Sequence, residues 1–517
     1  MLSVSGCRGI FGSTITPESA ARFAMVVGAY FVERAGNSDG RPLVVLGRDG
    51  RAGGLILARA AAAGLAASGC DVLDCDVAMT PTIGVMVDVR RAAGGLIVTA
   101  SHNPQEWNGV KVIGGSGQWG VGSGSGVAAS APSKTIADDI IARFRAAEKT
   151  GAQGVGVDAV GTITTAALGG VNALGFPSEA VHVHIDRVRE ALKAIGCIED
   201  RRWQAVKCVV DSVNSSGTSG ARALLGPCIT HHLGSSDSGI FPHMPEPTRE
   251  NLAMLARFVA EKHGDVGFAQ DPDADRLAII DEKGSYIGEE YTLVLAAEAV
   301  LGSGTGLPAR GVAEEVGGGN GGEAGEDAAM RPARRAGVPK PPTICVNLST
   351  SRMIEDVAAK YGARVIRTAV GEAHVVEAMK QNGSIIGGEG NGGVIWPRVT
   401  YVRDSLSAMG LVLALMTRTG KTISQLVADI PSYAIVKRKV NVSGPEDATR
   451  AVEAIAKAYS MERVDRQDGV WVGFDAERAW LHVRGSNTEP IMRLIAEAPT
   501  VEVANQILDR AAEVCHR

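Results

Sequence analysis

The chain has 517 residues, too many for one core, and at about 150 residues per domain it predicts three or four domains. It is 45% hydrophobic with a net charge of -5, and its Lys and Arg residues are spread along the sequence, which argues against a nucleic-acid-binding surface. There is no run of about 18 uncharged apolar residues and no basic-then-apolar start, so a cytoplasmic protein without membrane contact is expected; the eight scattered cysteines, with no CxxC pair, read as reduced thiols rather than zinc ligands.

Short β-rich runs alternate with alanine-rich helical stretches along most of the chain. Residues 42–46 read as a strand, 55–68 as a helix stopped by Gly69, and 71–74 and 94–98 as further strands. The alternation returns at 205–211 and 221–225, and again at 342–348 and 353–361. Repeated β-α-β units predict α/β domains with largely parallel sheets. Two stretches, 114–126 and 302–342, are too rich in Gly and small residues to offset their ordering entropy and are expected to be mobile insertions without catalytic residues. The tail has strand-like runs at 439–442, 469–473 and 480–484 with helices at 445–459 and 501–512, which predicts a small α+β domain beginning near Pro431.

Four loops carry chemistry. The first, Thr99-Ala-Ser101-His102-Asn103-Pro104, follows the apolar run 95–98 and leaves the Ser101 hydroxyl at the end of a buried strand. A plain strand-to-loop turn accounts for the same residues. The second, Asp271-Pro-Asp273-Ala-Asp275-Arg276, lies between two apolar runs. Three carboxylates so close together repel one another unless they surround a cation, and an oxygen-only set points to Mg²⁺ or Ca²⁺. An EF-hand does not fit, because its sixth position here is Arg276 instead of glycine and both flanks are strands.

The third loop, Gly387-Gly-Glu389-Gly-Asn391-Gly-Gly393, offers one carboxylate on a backbone-rich segment suited to paired hydroxyls, although a turn would need no such explanation. The fourth, Arg484-Gly-Ser486-Asn487-Thr488-Glu-Pro490, combines small residues and hydroxyl donors with a guanidinium fork for phosphate. A capped helix start would also account for it. Matches to dinucleotide-binding, hydrolase-elbow and P-loop patterns at Gly115, Gly388, Gly36 and Gly420 lack the flanking elements those motifs need.

Together and in this order, the four loops resemble those of the α-D-phosphohexomutase family, and the likeness extends from Gly6-Cys-Arg8-Gly9 to Arg493. The resemblance implies a heart-shaped molecule of three related α/β domains with mixed sheets and a C-terminal α+β domain, with boundaries expected at 1–165, 166–276, 277–430 and 431–517. It implies a phosphoserine at Ser101 and Mg²⁺ held by that phosphate with Asp271, Asp273 and Asp275. Glu389, with Asn391 beside it, would contact sugar hydroxyls, and Arg484, Ser486, Asn487, Thr488 and Arg493 would hold the substrate's non-reacting phosphate. Lys111 resembles the family's acid–base lysine, a strand-edge lysine being the plain alternative, with His102 assisting, Arg8 on the phosphoserine and Arg276 on the transferred group.

The reaction that the resemblance implies is interconversion of hexose 1- and 6-phosphates through a 1,6-bisphosphate, which also serves as activator. Two segments depart from the family pattern. Asn391 and Gly393 stand where the sugar loop commonly has Ser and His, and Ala369 replaces a lysine for which His374 is expected to compensate. The segments 346–350 and 367–372 look most like the phosphoglucosamine-mutase branch; phosphomannomutase or phosphoglucomutase activity, a non-catalytic sugar-phosphate-binding homologue and a phosphatase stay open. The expected partner is a small phosphosugar, and the expected assembly a monomer or homodimer.

Overall fold

The computed structural model describes residues 2–3, 6–36, 40–115, 129–166, 178–197, 201–236, 238–304, 340–485 and 491–515. Both Gly-rich stretches, apart from their edges, and the predicted phosphate ligands Ser486, Asn487 and Thr488 lie outside the described residues.

The first sheet runs in the order Leu2–Ser3, Gly6–Ile10, Trp107–Gly114, Gly94–Val98, Leu43–Arg48, Asp71–Val77 and Ile163–Thr165. Its first four strands pair antiparallel and the rest parallel. Pro17–Ala35, opened by a Thr16/Ser19 capping box, packs with Gly54–Ala67 on one face through Phe23, Val27, Leu57 and Leu65. On the other face Thr80–Val89 buries Ile83, Met86 and Val87.

The second sheet is ordered Leu277–Ile280, Val266–Gln270, Lys207–Asp211, Ile229–Leu233, and the third Arg364–Thr368, Thr343–Asn347, Ile386–Glu389, Gly393–Ile395. Each is parallel except for one edge hairpin, so the sheets are mixed but mostly parallel. Those hairpins have functional consequences. They turn the chain back at Asp271–Arg276 and at Gly390–Gly392, which places a loop at the same end of each sheet's parallel strands. Because Leu277–Ile280 pairs with Val266–Gln270, the second sheet extends past the boundary expected after Arg276.

The second and third sheets share one apolar core, in which Trp203 and Phe268 meet Leu295, Trp396 and Met409 through the helices Glu289–Leu301 and Ser405–Thr419. Asp404 caps the latter helix through Leu406 and Ser407 and accepts from buried His184, whose other nitrogen meets Thr82 at 2.9 Å. That chain of hydrogen bonds ties the helices Thr80–Val89, Glu179–Ala194 and Ser405–Thr419 to one another. The last sheet is wholly antiparallel, in the order Ala434–Asn441, Ile491–Ala498, Ala479–Gly485, Val470–Phe474, Arg463–Asp465, backed by Pro445–Ala458 and Val501–Cys515. Since Ile491–Ala498 is a strand, the capped-helix reading of the fourth loop fails. Among the described residues no helix is long and apolar enough to cross a membrane.

Candidate active site

Ser101 stands just beyond the strand Gly94–Val98 in the left-handed region, φ 52°, a strained setting for a non-glycine residue. Its surroundings hold it there. The backbone N–H donates to Thr99 Oγ1 at 2.8 Å, and Thr99 in turn donates to Asp49 Oδ2 at 2.6 Å. Arg51, fully buried, donates to the carbonyls of Ser101, Pro104 and Trp107 at 2.6, 2.8 and 2.5 Å and pairs with Asp49 at 3.2 Å. The Ser101 hydroxyl donates to Asp271 Oδ2 at 2.8 Å and lies 3.4 Å from His102 Nδ1.

The carboxylates of Asp271, Asp273 and Asp275 are all buried, with one oxygen from each within 4.8 Å of the others. Burial and the two neighbouring carboxylates push Asp271 well above the usual range. At Asp273 burial works the same way, but the Lys111 ammonium and the Thr80 hydroxyl override it and hold the group ionised. At Asp275 burial is overridden mainly by the Arg403 guanidinium. Asp273 Oδ1 and Asp275 Oδ1 are buried and accept no hydrogen bond among the described residues. Oxygen-only ligands with spare buried lone pairs, one of them beside the serine hydroxyl, fit a hard divalent cation such as Mg²⁺.

The loop is braced on several sides. Ser215 and Ser216 donate to the Pro272 carbonyl, and Ser405 donates to that of Ala274. Lys111 is not at a strand edge: its strand Trp107–Gly114 is paired on both sides, and its ammonium bonds Asp273 and lies 3.1 Å from Asp275. Burial works to lower Lys111, yet the two aspartates outweigh it and keep the ammonium form favoured. His102 is the opposite case. Burial, then Arg276 and Arg8, depress it to about 3, so its imidazole is neutral at physiological pH.

The third loop is a tight hairpin with Gly388 at φ 152° and Gly392 at φ 83°. Glu389 is buried and accepts from Asn347 at 2.9 Å and from Arg403 at 2.8 Å. Arg403 also reaches Asp275 at 2.7 Å and Glu372 at 3.2 Å, linking the aspartate loop to the Glu389 loop. A Cβ built on Gly393 collides with the Arg403 side chain, so the glycine that departs from the family's sugar loop makes room for this guanidinium.

On the fourth sheet Arg484 pairs with Asp468 at 3.0 Å. Its cross-strand neighbour is Arg493, and that of Arg493 on the next strand is Lys439, which sets three cations abreast. A cavity of about 610 Å³ is lined by Arg8, Ser101, His102, Lys111, Arg276, His374, Glu389, Asn391 and Arg484, so residues of all four domains meet in a space of substrate size. Arg493 lines a neighbouring cavity that also contains Glu389, Asn391 and Arg484.

Arg51, Arg403, Glu372 and Lys439 were not among the sequence-predicted residues. Arg51 and Glu372 had a local signal, each lying a few residues beyond an apolar run in a Gly-containing turn; Arg403 and Lys439 had none.

A four-domain α/β fold that sets a serine against a buried acidic triad, in a cavity also lined by arginines of the first, second and fourth domains, is the architecture of a phosphosugar mutase. The chain belongs to the phosphoglucomutase/phosphomannomutase family: the models of its α/β/α domains I, II and III match residues 2–119, 182–284 and 328–433, and that of its C-terminal domain matches 438–514. It is 31% identical to a phosphoglucomutase/phosphomannomutase of Thermococcus kodakarensis, covering 98% of this chain and 96% of that protein. A probable phosphoglucosamine mutase of Methanopyrus kandleri is 30% identical over 99% of this chain and 97% of its own, and a Thermococcus kodakarensis phosphopentomutase 28% identical over 100% and 98%. The fold is also that of a Burkholderia thailandensis phosphoglucomutase/phosphomannomutase family protein, with TM-score 0.75 at 23% identity over 100% of this chain and 98% of that one. The protein is accordingly an enzyme of the phosphosugar-mutase class, an isomerase that moves a phosphoryl group within a sugar phosphate.

Proposed function

We propose that the protein interconverts the 1- and 6-phosphates of a hexose, foremost glucosamine, through a phosphorylated Ser101 and a hexose 1,6-bisphosphate. The observation that carries this reading is the meeting of Ser101, Glu389 and Arg484 around one cavity, with the buried aspartate triad in contact with the serine. Asp271, Asp273 and Asp275 would hold Mg²⁺, which when bound neutralises the charge of the transferred group.

The residues divide the remaining work. Arg276 and Arg8, both lining the cavity beside Ser101, offer guanidinium donors to the equatorial oxygens of a phosphoryl group. The sugar hydroxyl attacks phosphorus as the bond from phosphorus to Ser101 Oγ breaks. Neutral His102 accepts the proton that the hydroxyl loses, and the Lys111 ammonium supplies one to the departing serine oxygen. After the bisphosphate turns end for end, the same two groups run the step in reverse, the serine recovers a phosphoryl group, and the proton count closes. Glu389, fixed by Arg403 and Asn347, accepts from sugar hydroxyls in either orientation. Arg484 and Arg493, with Ser486, Asn487 and Thr488 from the adjoining loop, hold whichever phosphate is not reacting. His374, lining the same cavity, lies within the space a sugar ring would occupy.

The test is incubation with Mg²⁺, a trace of hexose 1,6-bisphosphate and, separately, the 1-phosphates of glucosamine, glucose and mannose. A 6-phosphate product is expected from glucosamine 1-phosphate above the other two. Absence of product from all three would sink the reading, and inorganic phosphate released faster than isomer would recast the protein as a phosphatase.

A further inference from the structure

We infer that Glu290 reads the C2 ammonium of an amino-sugar phosphate and thereby sets a preference for glucosamine phosphate over neutral hexose phosphates. The inference rests on the mutase reading and deepens it, because it assigns the choice of sugar to a residue outside the four loops.

Glu290 opens the helix Glu289–Leu301 and lines a cavity of about 700 Å³ that shares Glu389, Asn391 and Arg484 with the reaction cavity. The lining of that space is divided by charge. The fourth sheet contributes Lys439, Arg493 and Arg484, while the second and third α/β domains contribute Glu246, Glu290 and Glu389. A ligand with an anion at one end and a cation on its ring matches such a lining better than one with an anion alone.

The two carboxylates nearest the sugar loop are not equivalent. Glu389 is already compensated by Arg403 at 2.8 Å and by the Asn347 amide at 2.9 Å. Glu290 Oε2 accepts only the Ser351 backbone N–H, at 2.9 Å, and among the described residues Oε1 accepts no hydrogen bond. Lys437, another cation lining this cavity, bonds Glu289 instead, at 2.9 Å. A partly buried carboxylate without a counter-charge is costly, and a cation arriving with the ligand would remove that cost. Burial pushes the Glu290 carboxyl well above its usual range, as such a setting requires.

The position of the carboxylate is fixed from the other side by Gly390. A Cβ at that residue would collide with both Glu290 oxygens, so glycine lets the sugar loop lie flush against the carboxylate. Glu290 therefore packs against the residue between Glu389 and Asn391, the groups expected to hold ring hydroxyls. A substituent on the carbon next to those hydroxyls falls within its reach. An ammonium there forms a charge-assisted hydrogen bond, whereas a hydroxyl forms an ordinary one.

The experiment compares kcat/KM for glucosamine 1-phosphate and glucose 1-phosphate in the full-length protein and in Glu290→Gln. The isosteric amide removes the charge and keeps the shape, and the ratio of the two values is expected to fall by about tenfold or more. Glu290→Asp, which keeps the charge, should retain part of the preference. Equal losses on both sugars in Glu290→Gln, or no preference for glucosamine in the unaltered protein, would overturn the inference. If no sugar is isomerised, the mutase reading fails by itself, and calorimetric binding of glucosamine 6-phosphate against glucose 6-phosphate decides the role of Glu290. A preference that Glu290→Gln abolishes supports it; equal affinities in the unaltered protein remove it.

Discussion

The serine end of the cavity and the phosphate end are built by different rules. At the serine end Arg51 is wholly buried and donates to a set of loop carbonyls, Asp49 accepts from Thr99, and the metal loop is gripped by Thr80, Ser215, Ser216 and Ser405. At the phosphate end Arg484 has, among the described residues, a single carboxylate partner, and Arg493 and Lys439 are exposed cations on an antiparallel sheet. That sheet meets the third domain through a few buried ties, such as Ser349 with His482 at 2.9 Å and Glu497 accepting from the Arg352 N–H at 2.9 Å, beside a small apolar cluster of Leu348, Trp471 and Trp480. The chemistry of phosphoryl transfer demands in-line placement of the reacting group, which rewards rigidity. Under the proposed mechanism one phosphate is only held while its carrier turns between half-reactions, and long, solvated cations serve that better.

The comparison is broken most severely at its centre. Ser101→Ala is expected to lower turnover by more than about 10³-fold with little change in folding, and to remove the phosphopeptide expected around Ser101 in the native mass. Turnover close to that of the unaltered protein would take Ser101 out of its assigned role. Chelation of divalent cations should have a comparable effect on rate, reversed by adding Mg²⁺, because the three aspartates would then be left to repel one another.

The next largest effect is expected where the rigid end is braced rather than where it reacts. Arg51→Met removes the guanidinium that ties Ser101, Pro104 and Trp107 together and leaves Asp49 as an uncompensated buried charge, a loss of about 3–5 kcal/mol on unfolding. Chemical denaturation would show it. A shift below about 1 kcal/mol would mean the loop is held by its backbone alone, and the contrast between the two ends would weaken.

Legibility in the sequence divides along the same line. Candidate chemistry that sits in contiguous loops has a local signal: Ser101 with His102, the alternating aspartates and the Arg484 segment all carry theirs within a few residues. The strands leading to them were also visible, because 94–98 and 277–280 are short apolar runs between turn residues and Gly94–Val98 and Leu277–Ile280 form there. Braces were not legible, since each is a single residue whose partners are far away in the chain. Arg403 meets Asp275 across 128 positions and joins it to Glu389 and Glu372. No local pattern marks such a residue. The boundary expected after Arg276 failed for a related reason: an edge hairpin looks like the end of one unit and the start of another until its pairing is known. Even Gly393, which reads as a defect of the sugar loop, makes sense only beside the Arg403 side chain that occupies its space.

At the phosphate end smaller effects on folding and larger ones on binding are expected. Arg484→Ala should raise KM for the sugar phosphate by about 10- to 100-fold, the worth of a charge-assisted phosphate contact, and leave the melting temperature nearly unchanged because its pair with Asp468 is partly exposed. Lys439→Ala, two strands away, should give a smaller rise in KM that shrinks with added salt. If Arg484→Ala instead destabilised the protein as much as Arg51→Met, the two ends would be equally rigid.

The last effect is one of pH and concerns His102, whose Nδ1 lies 3.4 Å from the Ser101 hydroxyl at the rigid end. Its native pKa is lowered from 6.5 to about 3 by burial and by Arg276 and Arg8, so the unfolded chain binds a proton below about pH 6.5 that the folded protein does not. The folded state is therefore favoured fully above that pH and loses the contribution progressively as pH falls towards about 3. Relative to His102→Gln, the unphosphorylated protein should lose at most about 1.4 kcal/mol per pH unit over that window in denaturation experiments. In activity the same lowered value means that no acid limb near pH 6.5 in kcat/KM belongs to this histidine. Parallel stability profiles for the two proteins, or an acid limb at pH 6.5 that His102→Gln abolishes, would show that the imidazole is solvated and charged, and that the rigid region ends at Ser101 itself.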